Sequence, residues 1–219
     1  MKKTILLTIV MTAILALVLC IGAFAAEEPV APMDPTPMDP TPMDQQTEQA
    51  PKLLSMIFNG GALAILGAAL AVGLAGIGSA KGVGLVAEAT AGLLSENPNM
   101  FGKAFALMAL PMTQGIYGLV VAFLIVFNAG LFREGGMNNL IGLSTQEGAY
   151  YLMSALPIAV VGLISAIKQA RVSAAGISLL SKRPDQVGKA IISAAMVETY
   201  AIFALLISVM LVLVGPMMA

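Results

Sequence analysis

The chain has 219 residues, of which 58% are hydrophobic and 11% charged, with a formal net charge of −1 and no histidine. Its mean hydropathy of +0.92 belongs to an integral membrane protein, since water-soluble domains carry about a quarter of their residues as charges. One cysteine and no histidine exclude a disulfide framework and a thiolate or imidazole metal cluster, and the near-zero charge excludes a broad basic surface for nucleic acid. The chemistry left is that of carboxylate, amide, hydroxyl and backbone oxygens, which are ligands for hard cations and protons.

Met1-Lys2-Lys3 and the apolar run over residues 4–22 read as the n-region and h-region of a secretory signal, with Ala23-Phe24-Ala25 as the cleavage pattern. Residues 1–25 are therefore expected to be a signal peptide, and Cys20 an h-region residue lost on processing, since the bulky Leu19 before it does not suit a lipoprotein signal. Residues 26–52 change character, with Pro29, Pro32, Pro35, Pro37, Pro40, Pro42 and Pro51 and the repeat Met-Asp-Pro-Thr-Pro starting at Met33 and again at Met38. Proline at this density prevents helix, so an extended, disordered acidic leader outside the membrane is expected.

Two very apolar blocks follow, residues 53–132 and 149–219, joined by a polar, glycine-bearing connection over 133–148. Each block is broken by a short polar turn, Ser95-Glu96-Asn97-Pro98-Asn99 and Ser181-Lys182-Arg183-Pro184-Asp185. The fold expected is all-α: two tandem transmembrane hairpins, four helices in total. The hairpins are copies at one offset of 86 (184 − 98), which aligns Leu93-Leu94-Ser95 with Leu179-Leu180-Ser181, Gly102-Lys103-Ala104 with Gly188-Lys189-Ala190, and Thr113 with Thr199. A unit with two crossings repeats in the same orientation, so both short turns share one face. Lys103, Lys182, Arg183 and Lys189 gather at those turns, and the positive-inside rule places them in the cytoplasm, with the termini outside. Small residues recur every fourth position in the first helix of each hairpin, at Gly76, Ala80, Gly84 and Gly92 and at Gly162, Ala166, Ala170, Ala174 and Ser178, which predicts a closely packed inner layer. The bulkier second helices suit an outer layer.

Glu198, within Met196-Val197-Glu198-Thr199-Tyr200, stands in the middle of an apolar run of ~25 residues, long enough to cross a bilayer. A carboxylate at that depth is costly and normally faces a bundle interior or an ion path; a purely packing role would be served as well by glutamine. The repeat-equivalent position is Met112, so the duplication keeps one carboxylate per four helices. Pro111, beside it, lacks an N–H and frees the carbonyl of Leu107. Thr113 offers a hydroxyl, Gln114 an amide oxygen and Tyr117 a phenol on the same face. Counting from the turn prolines, Gln169 lies 15 residues before Pro184, Glu198 14 after it, and Gln114 16 after Pro98, which brings three polar groups to one depth, ~21–24 Å from the turns.

With Leu110-Pro111-Met112-Thr113-Gln114-Gly115-Ile116-Tyr117-Gly118 in one hairpin and Met196-Val197-Glu198-Thr199-Tyr200-Ala201-Ile202 in the other, the chain resembles the rotor-ring proteolipid, the c or K subunit, of V-type rotary ATPases. The resemblance spans residues 60–213, and the two motifs with Gln169 match its sodium-binding members. It implies that Glu198, Thr113, Gln114, Gln169 and the main-chain oxygen of Leu110 hold one sodium ion, that Tyr117 locks the site by donating to Glu198, and that Met112 stands where the family usually has Gly. It further implies a ring of identical copies turning in the lipid bilayer of the cell membrane, against a stator subunit with a cationic residue. Central-stalk subunits would dock at the cytoplasmic turns. The proteolipid itself hydrolyses nothing and has no organic cofactor. A proton-carrying rotor using the same Glu198, a small-molecule exporter coupled through it, and a channel through the ring centre are the competing readings; extra oxygens favour Na+ over H+, and the small-residue helices lack a polar pore face.

Overall fold

A computed structural model describes residues 59–215, so the expected signal peptide and leader lie outside the described residues, as do 53–58 and 216–219. Six α-helices follow in order: α1 Gly60–Glu96, α2 Phe101–Ala109, α3 Thr113–Asn128, α4 Met137–Ile141, α5 Thr145–Lys182 and α6 Val187–Val214. Three short 3-10 turns interrupt them at Pro98–Met100, Leu110–Met112 and Pro184–Gln186, and no strand occurs among the described residues. The four spans Gly60–Glu96, Pro98–Asn128, Thr145–Lys182 and Pro184–Val214 are apolar and 31 to 38 residues long. At 1.5 Å per residue each exceeds the ~30 Å hydrocarbon core, so the helix ends project beyond it.

The most extensive contact is α1 against α5. Their partners advance in step, Gly60 with Gly148, Gly67 with Leu152, Gly78 with Leu163 and Gly82 with Ala166, so the two first helices run parallel, as a same-orientation duplication requires. Glycine is needed at these crossings: a Cβ on Gly78 would lie 2.7 Å from the Leu163 carbonyl oxygen and 2.8 Å from its Cα. The buried small residues of α1 include Ala68, Ala71, Ala75, Gly78 and Gly82. Within one chain the expected stripe faces nothing at Gly76 and Gly84 and is exposed at Ala80, whereas the repeat-equivalents Gly162, Ala170 and Ala166 are buried against α1; Gly92 and its equivalent Ser178 are both exposed. The physical reason is that α1 has one first-helix neighbour in a single protomer, and that neighbour takes its other face.

The polar punctuation sets the ends. Asn59 caps α1 by accepting from the Ala62 amide at 2.7 Å, and Asn97-Pro98 stops it. The second hairpin begins at Thr145 rather than Ala149, because Ser144 and Glu147 form a reciprocal capping box that carries the helix out of the apolar block. In the connection, Gly130, Gly135 and Gly136 have φ of 87°, 103° and 44°, which side chains rarely tolerate, and Asn139 ties the loop by donating to the Gly130 and Glu134 carbonyls. At the opposite end Lys103 Nζ donates to the Pro184 carbonyl at 3.0 Å, joining the two short turns. Pro157 lies inside the continuous α5, and the next amide, Ile158 N, donates to the buried Ser208 hydroxyl of α6 at 3.2 Å.

Candidate functional site

The span after the first turn is two helices rather than one. Pro111 has no amide to continue the ladder, and residues Leu110–Met112 tighten into a 3-10 turn from which α3 starts afresh at Thr113. The break turns the residues just after it toward α5 and α6. Thr113 folds back, its hydroxyl donating to the Leu110 carbonyl at 2.9 Å. Gln114, fully buried, donates from Nε2 to Gln169 Oε1 at 2.6 Å. Gln169, also fully buried, donates from Nε2 to the Ala194 carbonyl at 3.2 Å and contacts Glu198 Oε2 at 3.4 Å. One turn further along α3, Tyr117 Oη donates to Glu198 Oε1 at 2.6 Å.

The three residues that helix counting puts at one depth, Gln114, Gln169 and Glu198, are linked by hydrogen bonds in the structure, and Tyr117 adds one to Glu198. Leu110 and Thr113 lie one step away, linked to each other and contiguous with Gln114. For the main-chain oxygen, the kink argument names Leu107 and the resemblance names Leu110; the 3-10 turn begins at Leu110, and the Leu107 side chain is buried in the apolar cluster with Val86, Ala170 and Leu180. Met112, standing at the carboxylate-free position, turns its side chain outward and is 48% exposed.

Two features went unread in the sequence. The Gln114–Gln169 bond bridges the hairpins directly, a pairing whose register only packing decides. Ser79 on α1 accepts from the Gly115 amide at 2.8 Å, immediately beside Gln114. Matching depths could have flagged it, since Ser79 lies 19 residues before Pro98 and Gly115 17 after.

What remains is an oxygen-rich enclosure. Gln114 Oε1 is buried and accepts no hydrogen bond, although a carbonyl in that position ordinarily finds a donor. Gln169 Oε1 has a second lone pair, as does the Leu110 carbonyl, and Glu198 is half-buried with one donor on each oxygen. Such a set suits a hard monovalent cation or a proton. A soft metal is not served: no group of three or more His, Cys, Asp or Glu residues gathers among the described residues.

Comparison with known proteins agrees with the duplication. The family of the ATP synthase C subunit matches twice, over residues 66–125 and 152–211, two windows separated by the same 86 residues (152 − 66). The chain is 49% identical over 156 residues to the V-type sodium ATPase subunit K of Enterococcus hirae, an alignment covering 71% of this chain and 94% of that one. It is 39% identical over 153 residues to the A-type ATP synthase subunit K of Methanocaldococcus jannaschii, covering 70% of this chain and 62% of that longer relative. Two matched halves and four apolar spans make this chain a duplicated, multi-pass member of the ATP synthase C-subunit family.

Proposed function

We propose that this rotor proteolipid, a non-catalytic subunit K of a V/A-type rotary ATPase, carries Na+ on Glu198 and moves it across the membrane by ring rotation against a stator. Glu198 supplies the charge, Thr113, Gln114, Gln169 and the Leu110 carbonyl supply neutral oxygens, and Tyr117 holds the carboxylate in place. The observation that carries the reading is the buried, donor-free Oε1 of Gln114, whose Nε2 donates to Gln169, the residue in contact with Glu198. A proton needs one carboxylate oxygen and no such cage. The name of the Enterococcus hirae relative, a sodium ATPase subunit, points the same way.

Neutralisation is the step the membrane demands. An empty carboxylate at the bilayer centre costs several kcal/mol, so Glu198 crosses the lipid-facing arc of the ring only with its ion bound. Near a cation on the stator that balance reverses, and the ion leaves. Each Na+ moved against 100 mV requires ~2.3 kcal/mol, which ATP hydrolysis elsewhere in the complex provides.

Internal repetition supports the ring. Gly162, Ala166 and Ala170 of α5 are covered by α1, yet their equivalents Gly76, Ala80 and Gly84 are open. Conversely, Ala75, Gly78 and Gly82 of α1 are covered by α5, yet their equivalents Val161, Ile164 and Lys168 border an apolar groove. The open surface of one hairpin is therefore the counterpart of the open surface of the other, and a second copy added by the same step fills both. Such head-to-tail contacts close into rings. The cationic short turns then face the cytoplasm and present Lys103, Lys182 and Arg183 to the central stalk.

The test is carbodiimide modification of Glu198 in membranes, titrated with sodium at fixed pH. Sodium protecting Glu198 is the expected result. Modification that follows pH and ignores sodium would make this a proton rotor, and no modification would reduce Glu198 to packing. An exporter would instead be indicated by solute transport in vesicles holding this chain alone, lost in Glu198→Gln.

A further inference from the structure

The helix that restarts at the ion site has no cap of its own. Met112 occupies the N-cap position of α3 and its thioether makes no capping bond, which leaves the amides of the first turn without the partner that a Ser, Thr, Asp or Asn there would give. The amide three residues on, Gly115 N, is the one such a side chain ordinarily serves. It donates instead to Ser79 Oγ of α1 at 2.8 Å, and the same hydroxyl lies 3.5 Å from the Met112 carbonyl. Ser79 is 6% exposed, so water does not substitute for it. Gly115 makes the approach possible, since a Cβ there would lie 3.2 Å from both Ser79 Cβ and Oγ.

The duplication supplies an internal control. The equivalent of Ser79 is Ser165, and the equivalent of Gly115 is Ala201 within the continuous helix α6. There the serine turns onto its own helix and donates to the Gly162 carbonyl at 3.4 Å. The serine thus reaches across only in the hairpin whose facing helix is broken, and that break carries Leu110, Thr113 and Gln114.

We infer that Ser79 is a positioning residue of the ion site, an N-cap delivered from a neighbouring helix that fixes the restarted turn and so sets where the oxygens of Leu110, Thr113 and Gln114 stand relative to Gln169 and Glu198. The inference rests on the ion-site reading above. It gives α1, which contributes no ligand, a direct part in the geometry of the cage.

The experiment measures carbodiimide modification of Glu198 in membranes holding the assembled complex, with the half-protecting concentrations of sodium and lithium taken for each variant. Ser79→Ala is expected to raise the sodium value about tenfold, the order of change that one unpartnered buried amide brings to an equilibrium, and to alter the lithium-to-sodium ratio because the cage changes shape. Gly115→Ala, which displaces the serine, shifts both in the same sense, and Ser165→Ala shifts neither. Wild-type values in an assembled Ser79→Ala ring, or an equal shift in Ser165→Ala, would overturn the inference. Should Ser79→Ala fail to assemble, Ser79→Cys keeps the volume with a poor acceptor; a smaller shift of the same sign supports the cap, and an unshifted value rejects it. If sodium protects not even the wild type, the sodium reading fails by itself. Ser79 is then judged by the pH midpoint of labelling, which must move in Ser79→Ala and stay fixed in Ser165→Ala.

Discussion

Tyr117 and Gln169 hold the Glu198 carboxylate from two helices. The Tyr117 hydroxyl donates to Glu198 Oε1 at 2.6 Å, while Gln169 approaches the other oxygen at 3.4 Å. A hydrogen bond to a charged group contributes about 1.5–3 kcal/mol, and ~1.4 kcal/mol is a factor of ten in affinity. Tyr117→Phe is accordingly expected to weaken sodium protection of Glu198 by about tenfold to a hundredfold while the ring still assembles; a sodium titration of labelling checks it, and unchanged affinity would remove Tyr117 from the site. Glu198, Gln169 and Gln114 were legible as residues because polar groups inside apolar runs stand out. Ser79 was not, because a serine within a small-residue helix reads as packing until the facing helix is seen to break.

Helix packing divides the glycines into two classes that sequence spacing does not separate. Gly78 abuts the Leu163 backbone at distances where added carbon must displace main chain, and overpacking of this kind typically costs about 1–3 kcal/mol. Gly78→Ala should therefore lower the thermal stability of the protomer itself. Gly76, with nothing within 4 Å of its Cβ position, has room in the single chain. Gly76→Leu should leave the protomer folded and dissociate the ring, which native mass spectrometry of the detergent-solubilised protein reads directly; an intact ring would mean that this stripe is not the contact between copies. The two prolines inside spans, Pro111 and Pro157, share one feature at this scale. Each has a serine of a facing helix accepting from an amide just after it, Ser79 from Gly115 after Pro111 and Ser208 from Ile158 after Pro157.

For the whole molecule the charges and the apolar surface predict an orientation that labelling can test. Phe123, Phe127, Phe203, Leu206 and Met210 are exposed on the second helices, which suits contact with lipid tails, whereas the first helices pack on each other. Lysine and arginine concentrate at the short turns, so cysteines introduced at Asn99 and Gln146, in a chain with Cys20 replaced by Ser, should differ in access. An impermeant maleimide applied to intact cells is expected to label Gln146→Cys and to reach Asn99→Cys only after lysis. The opposite pattern would invert the topology and with it the side of the stalk.

Composition and the offset of 86 determined by themselves that this is a duplicated, all-helical membrane protein, and one carboxylate in an apolar run singled out Glu198. These properties are written in hydropathy and spacing, which survive without coordinates because the bilayer imposes helices of known rise. Tertiary structure decided the rest. Pro111 marked a break, but only the neighbouring helix shows that Ser79 caps it; Gln114 and Gln169 shared a depth, but only the rotation of α3 against α5 sets Nε2 of one on Oε1 of the other. Depth follows from residue count along one helix, whereas facing and hydrogen-bond partner follow from how close small residues let two helices come, a property of the pair.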